Sequence, residues 1–525
     1  MSIALKADVD GAGEALHHFW SVCVGAGRAA EGLRASWLEQ MKQAHDECGF
    51  QYVRFHGLFH DDMCVYRAQD GRETFNFQYV DDVFDRLLAI GVRPFVEFGF
   101  CPGDLATVKN TVFWWGANAA PPKDYAKWGE LITLTVQHWL ARYGADEVRR
   151  WYFEVWNEPN LWPFFNGTKS QYFELYRVTV SAVKAVDPAL RVGGPATSNF
   201  VPDRRFAGEL EDKSEHAVVT DAKDLDALDW QPVWLEEWLA FCAREALPVD
   251  FVSCHPYPTD WALDGRGELR KFMRGVDSTK KDLALVRRIV SGSAFPEAEI
   301  HLTEWSSSPS PRDFMHDCLP AAAFIVKANL ESIGLVDSLS YWTFTDVFEE
   351  GGAGDTVFHG GFGMINYQGI VKPAFHAYRM LRALGDELLA AADGGVVTRS
   401  RSAGKIAALF YHYPPEVQTA APLSATLAAA LAVQAQGAPR PFKLTVSGLP
   451  PDARFEIQTL GVGSGDALAA WRELGAPEPP TREQTAALRV TAETVRRETV
   501  VADRDGTLTV AREILPWNVV LVRQE

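Results

Sequence analysis

Two glutamates stand at the ends of predicted strands, where a carboxyl group can take part in a reaction. Glu158 follows the aromatic run 151–156 and precedes Pro159, which cannot continue a sheet ladder. Glu304 lies near the end of a second predicted strand, 299–305. Two carboxyl groups in one site can divide the work, because a protonated one donates a proton while an ionised one attacks or activates water.

The chain that must position these glutamates alternates short β-type runs with longer amphipathic stretches from about residue 18 to 385. This alternation is typical of an α/β fold, the (β/α)8 TIM barrel. The competing doubly wound sheet lacks support, because no Gly-x-Gly-x-x-Gly follows the first strand. The predicted strands are 19–24, 52–57, 94–100, 151–157, 191–196, 251–257, 299–305 and 338–345. The predicted helices include 80–90, 125–143, 171–186, 233–245, 281–291 and 319–333.

The predicted strands end in polar residues, so candidate functional side chains lie together at one end of the barrel. In such barrels the loops after the strand carboxyl ends carry the functional groups. Glu158 ends the fourth strand and Glu304 the seventh, on roughly opposite sides, so their carboxyl groups can face each other. A pair of carboxyl groups flanking a bond is what glycoside hydrolysis requires. Further candidate site residues at the same end are His56, Asn157, His255, Tyr257, Trp342 and Glu350.

Past about residue 391 the pattern changes to alternating strands separated by turn signals, which predicts a smaller C-terminal β-sandwich. We therefore expect a catalytic barrel over 15–388 and an accessory domain over 389–525, to which residues 1–14 can add. The stretch 420–441, rich in Ala, Pro and Gln, predicts a linker or mobile loop. The charged insertion 200–229 either walls the site or is a solvated loop. The predicted sandwich strands are 405–413, 442–447, 455–459, 499–502 and 519–523, with helical patterns at 467–474 and 481–495.

Composition excludes several classes of protein and partner. The 51 basic and 69 acidic residues give a net charge of −18, which repels nucleic acid and anionic membranes. No apolar run is long enough to span a bilayer, and the N-terminus lacks the apolar core of a signal peptide. Seven scattered cysteines without a Cys-x-x-Cys pair predict neither a disulfide framework nor a zinc site. These features predict a cytoplasmic protein with no cofactor and no metal.

Two other functional classes remain open at this point. A non-catalytic sugar-binding barrel would use the seventeen tryptophans and thirty-one phenylalanines as stacking surfaces but would not need both glutamates. A metal-dependent hydrolase would need clustered ligands, and no His-Glu-x-x-His occurs. The joint presence of Glu158 and Glu304 favours catalysis by two carboxyl groups.

The segments around both glutamates resemble glycoside hydrolase family 39, a clan A family that contains β-xylosidases and α-L-iduronidases. The resemblance is carried by Phe-Glu-Val-Trp-Asn-Glu-Pro-Asn-Leu at 153–161 and Ile-His-Leu-Thr-Glu-Trp at 300–305. Segments 54–57, 255–257, 341–350 and 479–484 are also similar to the family and follow in its order. The resemblance implies a retaining mechanism with Glu158 as the acid/base and Glu304 as the nucleophile. It also implies that Asn157 holds the sugar 2-hydroxyl.

Physical reasoning adds expectations for the neighbours of these glutamates. Arg54 is the best candidate for a cation that keeps Glu304 ionised, and His56 points to the same side of its strand. His255 and Tyr257 lie two residues apart on a strand and therefore share a face, and the Tyr257 hydroxyl can hydrogen-bond Glu304 or the sugar ring oxygen.

Trp342 is expected to form the floor or wall of the sugar subsite. Glu350, or Glu349 in its place, is expected to bind sugar hydroxyls, and Trp114, Trp115, Phe164 and Phe165 are candidates for an aromatic collar at the leaving-group side.

Within the resemblance, the choice lies between a neutral pentose and a uronic acid. A uronidase needs a cation aimed at the substrate carboxylate. The loop after the eighth strand carries acidic residues and no nearby Lys or Arg until Lys372, so a neutral sugar is favoured. We expect an exo-acting β-xylosidase that releases xylose from short xylo-oligosaccharides. The alternatives are an α-L-iduronidase-like or other glycosidase of the same family, with arabinosides as further substrates.

Overall fold

A closed barrel of eight parallel strands forms the larger part of the molecule. The computed structural model describes residues 2–161, 163–198, 200, 218–219, 232, 234–263 and 269–525. Each barrel strand pairs with the next in sequence and the eighth pairs with the first, which confirms the predicted TIM barrel. In chain order, barrel strands 1 to 8 are Cys23–Arg28, Tyr52–His56, Arg93–Phe98, Tyr152–Val155, Arg191–Thr197, Phe251–Cys254, Glu299–Trp305 and Ser338–Tyr341.

The first strand departs most from its predicted position. Phe19–Ser21 forms a short 3-10 helix, and the strand begins at Cys23, so the prediction of 19–24 is wrong for its first half. Gly25 and Gly27 weaken the strand signal, since glycine has a low β propensity. The fold requires Gly25, because a Cβ there would lie 2.4 Å from Cε3 of Trp342. Packing at the barrel mouth therefore outweighs local propensity.

Helices follow most barrel strands on the outside of the barrel. Tyr125–Tyr143 has its predicted bounds and begins where the Asp124 side chain accepts hydrogen bonds from two backbone amides of the first turn. Ala35–Cys48 and Pro373–Arg382 were not predicted from the sequence. The other helices of the barrel region are Gln78–Ile90, Ala145–Val148, Lys169–Val186, Leu235–Arg244, Ser278–Ser291 and Leu319–Glu331.

Two sheets pack against each other in the C-terminal region, as the predicted sandwich requires. Their shared core contains apolar side chains from both sheets, among them Leu5, Phe410, Phe442 and Phe455. The three-stranded sheet is Ile3–Asp8, Arg440–Ser447 and Leu508–Ile514, so the first strand of the chain belongs to it. The seven-stranded sheet is Glu14–Ala15, Glu387–Ala392, Gly395–Arg399, Ile406–Tyr411, Val519–Gln524, Arg454–Leu460 and Arg496–Val501. Helices Leu427–Gln434, Ala467–Glu473 and Arg482–Glu493 accompany these sheets.

The prediction of a linker or mobile loop at 420–441 is wrong. Ala420 and Ala421 are buried, and Leu427–Gln434 is a helix. The Gln434 side chain accepts a hydrogen bond of 3.0 Å from the backbone amide of Leu319, at the start of a barrel helix. Part of this segment is therefore packed against the barrel.

The insertion predicted at 200–229 lies mostly outside the described residues. Val218–Val219 pairs with Thr259–Leu263, which pairs in turn with Leu269–Met273. Among the helices that the structure describes, none combines the length and the apolar character needed to cross a bilayer.

Candidate active site

The turn after strand 4 brings Glu158 next to Glu304 at the end of strand 7. One carboxylate oxygen of Glu158 lies within 4.8 Å of one of Glu304, and both side chains are buried. Glu158 has a φ of 45°, which L-residues seldom adopt, and its amide donates to the Ala196 carbonyl of strand 5 at 2.8 Å. The turn therefore fixes where this carboxyl group points.

Arg54 on strand 2 is the centre of a buried ionic network. Its guanidinium donates to Glu304 Oε2 at 3.1 Å, Glu154 Oε2 at 2.9 Å and Asn157 Oδ1 at 2.8 Å. It also lies 3.0 Å from Glu97 Oε2. Glu97 and Glu154 stand directly opposite each other on strands 3 and 4, where two like charges would repel without this cation. The expected contact between Arg54 and Glu304 is present.

His56 is held between two carboxylates at the barrel mouth. Its Nδ1 lies 2.6 Å from Glu97 Oε2, and its Nε2 lies 3.5 Å from Glu350 Oε1 and 3.9 Å from Glu304 Oε2. Burial alone would lower the pKa of His56, but Glu97 and Glu350 raise it to about 10. His56 therefore carries a positive charge at neutral pH.

Tyr257 and Asn157 are oriented by the same network. The Tyr257 hydroxyl donates to Glu304 Oε1 at 2.7 Å, which is one of the two contacts expected for it. Asn157 Oδ1 accepts from Arg54, so its Nδ2 group is the one that can donate to a ligand. Tyr257 and Arg54 together occupy one lone pair on each oxygen of Glu304 and fix its plane.

The two glutamates differ in how readily they ionise. Burial raises the pKa of Glu304 while Arg54 and His56 lower it, and the result is a pKa of about 7. Burial and the negative charge of Glu304 raise the pKa of Glu158 well above its ordinary value. Glu304 therefore loses its proton first, which leaves one carboxylate beside one carboxylic acid.

His255 lies between the two glutamates and is fully buried. Its Nδ1 is 3.1 Å from Glu158 Oε1 and 3.8 Å from Glu304 Oε2, and its Nε2 is 2.9 Å from Thr303 Oγ1. Burial, Arg54 and His56 hold the pKa of His255 well below its ordinary value, so the ring is neutral.

Aromatic rings surround this centre. Trp342 is 1% exposed, and its ring centroid lies 4.9 Å from that of His56. Phe113, which the sequence analysis did not identify, stacks on His56 at 5.7 Å and contacts Phe164 at 5.2 Å. Trp114 is 68% exposed, and its amide donates to the Glu350 carbonyl at 2.7 Å. Of the other proposed collar residues, Trp115 and Phe165 are buried.

The loop after strand 8 has cations near it in space, which its sequence did not indicate. Arg28, the last residue of strand 1, and Arg34, which follows that strand, both form ion pairs with Glu349. Glu349 is therefore neutralised, and Glu350 is the carboxylate that faces the centre. Lys372 is buried and paired with Asp317 and Asp346 at 2.7 Å each.

One group of side chains has the number and spacing of donors that a metal ion needs. Glu158, His255 and Glu304 place one donor atom each within 4.8 Å of one another. However, Arg54 and the protonated His56 adjoin Glu304, and two neighbouring positive charges oppose the binding of a cation. We therefore do not regard these residues as metal ligands. Trp162, which follows Glu158 closely in the sequence, lies outside the described residues.

Glu97, Glu154 and Thr303 belong to the site but were not predicted from the sequence. A signal existed for the first two, because each is the single charged residue in the middle of an otherwise apolar strand. A charge in a strand buried on both faces needs a partner, and Arg54 on strand 2 is that partner. Thr303 gave no such signal, since threonine is common in strands.

Comparisons with known proteins agree with this geometry. Residues 2–221 and 222–509 match the family described as glycosyl hydrolases family 39. The β-xylosidase of Geobacillus stearothermophilus is 37% identical over 472 residues, which cover 88% of this chain and 84% of that protein. The β-xylosidase of Caldicellulosiruptor saccharolyticus is 42% identical over 71% of this chain and 70% of that protein. The crystal structure of a monomeric β-xylosidase from Caulobacter crescentus CB15 matches with a TM-score of 0.83 and 33% identity, over 100% of this chain and 99% of that one.

Proposed function

We propose, because this chain belongs to glycosyl hydrolases family 39, that it is a retaining exo-β-xylosidase acting on short xylo-oligosaccharides. The chain is a glycoside hydrolase, so the non-catalytic sugar-binding barrel is set aside. The observation that carries the proposal is the approach of the Glu158 and Glu304 carboxyl groups to within 4.8 Å. Retaining enzymes hold their carboxyl groups about 5–5.5 Å apart, whereas inverting enzymes hold them about 6.5–9.5 Å apart.

In the first step, an oxygen of Glu304 attacks the anomeric carbon while Glu158 protonates the departing glycosidic oxygen. The order of ionisation supports these roles, because Glu304 is the first of the pair to become a carboxylate. The C–O bond to the leaving group breaks, and a covalent xylosyl ester forms on Glu304. The Asn157 Nδ2 group, oriented by Arg54, can donate to the sugar 2-hydroxyl.

In the second step, the ionised Glu158 takes a proton from water, and the resulting hydroxide oxygen attacks the anomeric carbon. The bond to Glu304 breaks, the carboxylate returns to its contacts with Arg54 and Tyr257, and xylose leaves. Two inversions at one carbon give net retention, and Glu158 is again protonated for the next cycle.

The charges around the sugar subsite support a neutral substrate. Glu350 lies against His56 at 3.5 Å, so the positive charge of the imidazolium is already balanced by carboxylates. Arg28 and Arg34 are likewise paired with Glu349. A uronate carboxylate would lie beside the carboxylate of Glu350. The described residues of the loop after strand 8 offer it no unpaired cation. Xylose, whose ring carries no carboxylate, suits this arrangement.

The buried position of the subsite supports action on a terminal residue. His56 and Trp342 are almost fully buried, while Trp114 on the rim is exposed. We propose that Trp342 forms the floor under the xylosyl ring, and that Glu350 and His56 bind its hydroxyl groups. The rim around Trp114 and Phe164 then faces the leaving group.

The proposed setting is the cytoplasm, where the substrate is a small oligosaccharide derived from xylan. All seven cysteines are unpaired, and six of them are buried, which suits a reducing compartment.

A panel of aryl glycosides tests the sugar preference. With one leaving group throughout, we expect kcat/KM to be highest for the β-D-xyloside, lower for the α-L-arabinoside and lowest for the α-L-iduronide. The physical reason is that the loop after strand 8 presents the carboxylate of Glu350, while Lys372, the cation among its described residues, is buried and paired. EDTA should leave the rate unchanged. Faster turnover of the iduronide than of the xyloside would contradict the proposal.

Replacing Glu304 by glycine tests the nucleophile. Hydrolysis should fall by roughly 10⁴-fold or more, because no covalent ester can form. Azide should occupy the space of the missing carboxylate and restore turnover, with α-xylosyl azide as the product. The matched control is Glu299→Gly, at the opposite end of the same strand, which should show no azide effect. Failure of azide to rescue Glu304→Gly would remove the nucleophile role.

Replacing Glu158 by alanine tests the proton donor. Formation of the ester from a dinitrophenyl xyloside should be spared, because this leaving group needs no proton. Substrates with poor leaving groups should lose about 10²- to 10⁴-fold in kcat/KM. Pre-steady-state release of the phenol measures the first step separately. Equal losses for good and poor leaving groups would argue against an acid role.

A further inference from the structure

We propose that Thr303 and Glu154 are positioning residues that hold His255 in the tautomer with its hydrogen on Nε2, so that Nδ1 accepts a hydrogen bond from the carboxylic acid of Glu158. The proposal rests on the acid/base role proposed for Glu158. It is carried by a chain of four buried contacts that runs from Arg54 through Glu154, Thr303 and His255 to Glu158.

The direction of this chain is set at Arg54, which can only donate hydrogen bonds. It donates to Glu154 Oε2 at 2.9 Å, and Glu154 acts there as a carboxylate. The other oxygen, Oε1, lies 2.7 Å from Thr303 Oγ1. Because a carboxylate can only accept, the single hydroxyl hydrogen of Thr303 must point towards Glu154.

The tautomer of His255 follows from the position of that hydrogen. Thr303 has no second hydrogen to give, so at 2.9 Å from His255 Nε2 its oxygen can only accept. Nε2 therefore carries the hydrogen of the ring. His255 is neutral, since burial, Arg54 and His56 lower its pKa, and Nδ1 is consequently left with a lone pair.

The lone pair on Nδ1 determines which form of Glu158 fits beside it. Nδ1 lies 3.1 Å from Glu158 Oε1, and a hydrogen bond forms there only if Glu158 donates. The arrangement thus selects the carboxylic acid of Glu158, which is the form required to protonate the leaving group. After the proton has left, the Glu158 carboxylate faces a lone pair, and this makes it a stronger base towards the water of the second step.

Other charged groups also act on Glu158. Besides burial, Glu304 and Glu350 raise its pKa, while Arg54 and His56 lower it. Tyr257 approaches from the end of strand 6 and donates to Glu304. Arg54 also contacts Glu154, so Glu154→Gln removes a negative charge beside it, whereas Thr303→Val leaves every charged group in place and is the cleaner test.

The variant Glu154→Gln reverses the chain without changing its shape. Arg54 will hold the amide oxygen, so the amide hydrogens face Thr303, whose hydroxyl then turns to donate to His255 Nε2. The ring hydrogen moves to Nδ1 and donates to the Glu158 carboxylate. We expect the alkaline limb of the kcat/KM profile to shift down by about one pH unit. At pH values above the shifted limb, kcat/KM for substrates with poor leaving groups should be about tenfold lower than in the wild type. The kcat/KM for dinitrophenyl xyloside should be unchanged.

Thr303→Val provides a second variant. It removes the oxygen that accepts the hydrogen bond from His255 Nε2, so it should shift the alkaline limb in the same direction. Thr303→Ser keeps the hydroxyl and is the matched control, with a wild-type profile expected. In the Thr303→Val background, Glu154→Gln should shift the limb by less than it does in the wild-type chain, since the part of its effect that passes through His255 is already lost.

Several outcomes would overturn the proposal. An unmoved alkaline limb in both Glu154→Gln and Thr303→Val would do so, as would an equal shift in Thr303→Ser. Equal losses for good and poor leaving groups would indicate a purely structural role. Persistence of the alkaline limb in Glu158→Ala would instead count against the acid/base role of Glu158, so failure of the proposed function can be recognised separately.

Discussion

The buried guanidinium of Arg54 is the constraint on which the site depends. An unpaired charge in this position would be very costly, so the surrounding strands must supply acceptors for its donors. Glu97 and Glu154 face each other across strands 3 and 4, and Arg54 between them, together with the charged His56 beside Glu97, offsets their repulsion. The remaining donors reach Asn157 and Glu304. One residue thereby fixes the plane of the proposed nucleophile and the orientation of the amide beside it.

The barrel explains why residues so distant in sequence can meet around that cation. Strands 2, 3 and 4 are neighbours, and Arg54, Glu97 and Glu154 point inwards from them. The turns after strands 4 and 6 then add Glu158 and His255 above this ionic layer, and strand 7 adds Glu304 near its carboxyl end. The ionic layer holds the side chains above it in fixed positions. Proton transfer can then take place there without movement of the heavy atoms.

Part of this arrangement could be predicted from the sequence. The positions of Glu158 and Glu304 at the ends of strands 4 and 7 predicted that their carboxyl groups face each other. The two-residue repeat of a strand predicted that Arg54 and His56 lie on one face, and both are found beside Glu304. The ionic layer could not be predicted in full, because the partner of a buried charge depends on strand register. Arg28 and Arg34 are far from Glu349 in sequence, so the acidic loop after strand 8 seemed free of cations. The predicted position of the first strand was wrong because its glycines give no β signal, although close packing requires them: Gly25 faces Trp342, and Gly27 faces Glu31 and Phe348.

We propose double displacement by Glu158 and Glu304, whose carboxylate oxygens approach within 4.8 Å of each other. The anomer of the first-formed sugar tests it most directly. Proton NMR during hydrolysis of an aryl β-xyloside should show β-xylose appearing first, followed by slow mutarotation to the α-anomer. Initial appearance of α-xylose would mean a single inversion by water, and it would contradict both the ester on Glu304 and the retaining mechanism.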